Sequence, residues 1–370
     1  MTKQRALPGT WPLLLGALGL AAVMAVGPLI PHGPDLLRAD PWAAWQLTPD
    51  VSVPLLLVAA LYAAGALRGS IRAGAAARHG AFAGGLLAIV IALQSPIESL
   101  ADHSLALHEV EHMLLRMVAP MLLVLAEPQA ALLRGLPDGL RRRVLAPALS
   151  TRAVQGTFAV LTQPAVATAL FIVGSAFWYL PRYHDLALAD EWVHWLMHVG
   201  LLTTGLLFFV RLLDRRHPPL GPSLPTRLLM CWFAVISNIL IGFAITFSPD
   251  VLYPAYQASG LLWGVSPRLN EIYGGQTEWI PGSMMLGIAL LATVYRWAGQ
   301  EERNASRRLA AEMPAISGAA FVLAQRPRNR ALALGLVGFA LMVLGLVLGS
   351  AIAYEGAQRH ASPITQSDHG

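Results

Sequence analysis

The chain has one cysteine, Cys231, among 370 residues. It can therefore close no disulfide on itself and build no metal site from two or more thiolates, and cysteine usage says nothing about redox compartment. Charge is scarce as well. Only 13% of residues are Asp, Glu, Lys or Arg, against about 25% in an ordinary soluble domain. Also missing are a nucleophile–base arrangement, a Gly-rich phosphate loop and a zinc-protease motif. Neither a hydrolase nor an ATPase is favoured, and no enzymatic activity is expected. The net charge of +5 does not point to nucleic acid, because the arginines gather in alternate loops, where they act as orientation signals.

What the chain has in quantity is apolar sequence. Hydrophobic residues make up 55%, and runs long enough to cross a bilayer recur throughout. They predict an all-α polytopic transmembrane bundle of about nine spans, near 11–30, 51–67, 81–94, 104–125, 164–180, 192–213, 228–247, 280–298 and 331–353. Lys3 and Arg5 before the first run form a signal-anchor pattern without a clean cleavage site. Arginines crowd the loops after spans two, four, six and eight, for example Arg141, Arg142 and Arg143, and the other loops are acidic or nearly neutral. This alternation predicts a cytoplasmic N-terminus and an outer C-terminus. The chain divides into an anchor span and outer loop (1–50), a seven-span core (51–298) and a basic loop with a ninth span and tail (299–370). The loop between spans seven and eight carries Tyr253, Tyr256, Trp263, Tyr273 and Trp279 and reads as an interface cap.

Titratable residues interrupt the apolar pattern at one level. Span four opens with His108 and His112, spaced i,i+4, with Glu109 and Glu111 between them. On a helix this spacing puts both imidazoles on one face. Span six opens with a second pair at the same spacing, His194 and His198, and His184 precedes it. Both spans enter from the outer side. With His103, six of the eleven histidines thus gather at one membrane level, the first pair roughly 6 to 15 Å below the outer rim. Intramembrane polar groups turn from lipid toward a partner, so the two pairs are expected to converge between spans four and six. Imidazole suits Cu, Zn, Fe and Ni, and thioether sulfur selects Cu(I). Met113, Met117, Met197, Met284 and Met285 lie near the right level to support His ligation of copper, and Glu109 and Glu111 can orient the imidazoles. Two alternatives stand beside this one. The histidines can be hydrogen-bonded packing residues, or one on each helix can hold a single outer b-type haem.

The run HEVEHMLLRMVAPMLLVLAEP, containing His108, His112, Met113, Ala119, Pro120 and Pro128, resembles the signature of the CtaG-type cytochrome c oxidase assembly factors. The run DEWVHWLMH at 190–198 is similar to that family's second His pair, and GGQTEWIPG at 274–282 resembles its third motif, with Glu278 where the family often has Met. The resemblance covers spans two to eight. It implies a seven-span bundle in a bacterial cytoplasmic membrane that helps mature a haem–copper oxidase, delivering copper to it. The partners implied are the oxidase subunits and membrane lipid. A cofactor-free structural partner of the oxidase is the remaining possibility.

Overall fold

The computed structural model describes residues 45–312 apart from 46, 70–73 and 217, and only the backbone of 308–312. The runs at 11–30 and 331–353, and most of the two terminal segments, lie outside the described residues. Contacts divide the chain into one unit ending at Leu286 and another beginning at Gly287. All that concerns the site belongs to the first.

The described residues are helical, with no strand among them. In chain order the first helices are α1 (Pro49–Leu67), α2 (Ala75–Gln94) and the short α3 (Pro96–Ala101). Next comes α4 over 105–126, made of Leu105–Met113, a π turn Leu114–Val118 and Ala119–Ala126. Then follow α5 (Gln129–Gly135), α6 over 138–150, α7 (Arg152–Leu161), α8 (Pro164–Trp178) and α9 (Pro181–Ala189). The last are α10 (Glu191–Leu212), α11 (Leu224–Thr246), the single turn α12 (Ala255–Ser259) and α13 (Pro267–Glu312).

Five of these helices are long and apolar enough to cross a membrane, or up to seven if each of two bent pairs is one span. The bent pairs are α6 with α7, at 68°, and α8 with α9, at 72°. The described residues therefore carry five to seven candidate spans, where the apolar runs within this range predict seven and the other two of the nine expected spans lie outside it. One reason for the lower figure is α4 itself. It has the length of a span, but Glu109, Glu111 and Arg116 fall inside it. Charges of that kind are tolerated only where a bundle covers them.

α4 is the pivot of the packing, with α2 on one flank and α10 on another, while α8 packs on α10 and α11. Its π turn has a local cause. Pro120 has no N–H to offer the carbonyl of Arg116, and the wide turn sits just before it. That carbonyl meets Gly205 of α10 so closely that a Cβ there would stand 2.2 Å from its oxygen. Only glycine permits this approach, and the approach sets how near α4 and α10 lie.

The final helix starts earlier than the apolar run suggests. The run near 280–298 omits the polar turns before it, yet α13 begins at Pro267. Ser266 supplies the cap, its Oγ accepting from Leu269 N at 3.3 Å, and proline suits the first helical position. Tyr273 and Trp279 are therefore helical residues and not part of a loop. At its other end α13 runs past 298 to Glu312.

Candidate metal centre

Each His pair owes its direction to a cap that fixes the start of its helix. At α10 the carboxylate of Asp190 accepts the Val193 amide at 3.0 Å, which fixes where the helix starts and so where His194 and His198 point. At α4 the cap comes from a distant helix, because Leu105 N–H donates to Asn270 Oδ1 of α13 at 3.0 Å. A Cβ on Gly274 would reach within 2.2 Å of Leu105 Cγ, so the glycines of the third motif let α13 close against this end of α4.

With the helices so placed, the imidazoles form one cluster. Ring centroids lie 4.3 Å apart for His108–His112 and for His194–His198. Across the helices they lie 5.3 Å apart for His108–His194 and 6.1 Å for His112–His198. Glu111 joins them from α4, its Oε1 standing 3.1 Å from His198 Nε2. One ligand atom from each of His108, Glu111, His194 and His198 lies within 4.8 Å of the other three. His112 is the immediate neighbour of this set, with Nδ1 3.8 Å from Glu109 Oε2. Sequence spacing marked Glu111 as an orienting group, whereas the structure puts its carboxylate among the ring nitrogens. The signal was present, since 108, 111 and 112 share a face at i, i+3 and i+4.

The cluster is dry and polar. His108 and Glu111 are 0% exposed. His108 Nε2, His112 Nε2 and Glu111 Oε2 are buried without a hydrogen-bond partner among the described residues, and Glu111 Oε1 and His198 Nε2 are buried facing each other at 3.1 Å. Buried polar atoms are nearly always satisfied, so three exceptions beside an ion pair in one place make a concentrated set of donor atoms. The donor set is chemically coherent for a divalent cation, with three imidazoles and one carboxylate.

Around this centre lie groups whose contacts the sequence did not give. One turn deeper, Arg116 pairs with Glu278 at 2.8 Å and donates to Asn238 Oδ1 at 3.0 Å and to Ser175 Oγ. It also stacks over Phe171, 4.9 Å from the ring centroid. Glu278, the departure in the third motif, is thus the counter-ion of a buried arginine. The Glu109 oxygen beside His112 also accepts from the Tyr179 hydroxyl. His184, on α9, is 5.1 Å from the His108 ring and shares the Tyr256 hydroxyl with it, at 2.9 Å from His184 Nε2 and 2.7 Å from His108 Nδ1. The loop carrying Tyr256 is pinned by Glu271, whose Oε1 accepts from Leu252 N at 2.6 Å and Tyr253 N at 2.7 Å. Glu98, on α3, sits among Asp102, Asp50 and Glu191. Burial first, and then those three carboxylates, pushes its pKa up to about 8.

The remaining expected contributors are dispersed. His103 bonds the Gly260 carbonyl through Nδ1 at 2.8 Å and lines a cavity of about 480 Å³ with Trp263, Tyr273 and Pro281. Met113, Met117 and Met197 are buried, and Met197 packs with Trp178, Ala187 and Leu201. Met285 is half-buried. Met284 points outward, 42% exposed.

A helical bundle with membrane-length helices around a buried histidine–carboxylate cluster defines the class of protein. The sequence profile of the cytochrome c oxidase caa3 assembly factors (Caa3_CtaG) matches residues 60–300, and the chain belongs to that family. It is 28% identical over 287 residues to uncharacterized proteins of Mycobacterium bovis and Mycobacterium tuberculosis, alignments that cover 75% of this chain and 42% of each relative. An uncharacterized protein of Mycobacterium leprae is 24% identical over 284 residues, 75% of this chain and 43% of the relative. The chain thus spans less than half the length of these relatives. No solved structure matches it.

Proposed function

We propose that this protein is a non-catalytic assembly factor of a cytochrome c oxidase, embedded in the cell membrane, that binds copper at its outer side and passes it to an oxidase subunit. Family membership supports the oxidase as the recipient. The observation that carries the copper reading is the set of buried donor atoms of His108, Glu111, His194 and His198, drawn together within 4.8 Å. His112 is the neighbouring ligand that can take over as the ion moves along the paired helices. Among divalent first-row ions copper binds such N/O donors most tightly. The cluster serves a haem less well, since a porphyrin needs an open flat slot around its axial ligands, and His108 and His194 crowd His112 and His198 at 4.3 Å. The alternation of arginine-rich loops supports an outer location for the His end of the bundle.

The test is the copper content of the oxidase. Oxidase purified from cells that express His108→Ala/His194→Ala should carry less copper per haem than oxidase from cells with the unaltered protein. An equal ratio would remove copper delivery from the account.

A further inference from the structure

A chain of hydrogen bonds runs from a backbone carbonyl to the cluster, and its polarity can be worked out. The carbonyl of Trp178 can only accept, so its 3.2 Å contact with His184 Nδ1 places the ring proton on Nδ1. His184 is 1% exposed, and burial favours the neutral ring. A neutral ring protonated at Nδ1 has only a lone pair at Nε2. The Tyr256 hydroxyl must therefore donate to His184 Nε2 across their 2.9 Å contact. Its single hydrogen is then used. The same oxygen lies 2.7 Å from His108 Nδ1 and must accept there, so His108 carries its proton on Nδ1. The lone pair of His108 falls on Nε2, the atom that is buried without a partner among the described residues.

Building on the metal-binding reading above, we infer that Tyr256 and His184 are positioning residues that hold His108 as its Nδ1–H tautomer and turn Nε2 toward the cluster as a ligand. Both nitrogens of His184 are occupied in this arrangement, so His184 orients the site and does not ligate. A phenylalanine would fill the space of Tyr256, which is 1% exposed among aromatic neighbours. Packing therefore does not need the hydroxyl, and the tautomer does. Groups that hold the second nitrogen of a ligating histidine typically change metal affinity by about 10- to 100-fold when removed.

The test uses the full chain in detergent and Cu(II) as the probe. In the metal-free protein, ¹⁵N-histidine NMR with His108 assigned against His108→Ala should show the Nδ1–H tautomer. The opposite tautomer overturns the inference, and this readout needs no variant at position 256. Competition against a chelator should show Tyr256→Phe and His184→Ala each weakening copper by about 10- to 100-fold at unchanged stoichiometry. The double variant should be no weaker than either single one, because both cut the same chain. If Tyr256→Phe binds as the unaltered protein does while His108→Ala loses copper, the relay is wrong and the metal site stands. If His108→Ala also binds normally, both fall.

Discussion

Replacing Glu278 with Met leaves the most consequential gap that a single substitution can make beneath the cluster. Arg116 and Glu278 meet at 2.8 Å with 2% and 1% of their side chains exposed. Removing one partner of a buried pair leaves an uncompensated charge and costs about 3–5 kcal/mol. Asn238 and Ser175 still accept from the guanidinium, so the lower end applies, about 3 kcal/mol. With an unfolding entropy of about 2.1 cal/mol/K per residue, a chain of 370 residues shifts its midpoint by about 1–2 °C for each kcal/mol. Thermal unfolding in detergent should therefore show a fall of about 3–6 °C. The double variant Arg116→Met/Glu278→Met should recover most of it, since an apolar replacement of the whole pair is often neutral. The reasoning is refuted if Glu278→Met changes the midpoint by less than 2 °C, or if the double variant is less stable than the single one.

Other outcomes follow from particular contacts. Gly205→Ala puts a methyl 2.2 Å from the Arg116 carbonyl oxygen and should push α10 from α4, lowering copper affinity at least about 10-fold in chelator competition; unchanged affinity would show that the site does not depend on this approach. Met284→Leu should leave copper binding within error, because Met284 is 42% exposed, and a clear loss would bring it back as a ligand. Glu98 keeps its proton in the folded protein up to about pH 8, whereas an unfolded carboxyl releases it near 4.5. The folded state therefore holds the extra proton between these values, and stability should decline as pH rises across that window. Glu98→Gln should flatten this decline in melting curves taken from pH 5 to 9, and an unchanged slope would exclude Glu98 as its source.

The parts of the fold readable in advance were those encoded locally. Apolar runs gave the bodies of α1, α2, α10 and α11, and the two i,i+4 spacings gave the faces on which the imidazoles sit. Long-range contacts were not readable. Arg116 looks like a lone charge in an apolar run, and Glu278 like a flaw in a motif, until a fold joins residues 162 positions apart. Tyr256 was grouped with interface aromatics because only tertiary contact brings its hydroxyl to two imidazoles. The beginning of α13 was missed for another reason. Hydropathy registers burial, whereas the Ser266–Pro267 pair registers the helix start, and the turns after it are too polar to extend an apolar run.

The central claim is that the cluster binds copper, and metal content tests it most directly. The purified full chain would be loaded with copper, desalted and analysed by mass spectrometry beside a variant carrying His108→Ala, Glu111→Gln, His194→Ala and His198→Ala, with circular dichroism to show that both are folded. The account predicts copper near one per chain in the unaltered protein and a loss of most of it in the variant. Equal copper in the two, or none in the loaded unaltered protein, would contradict it.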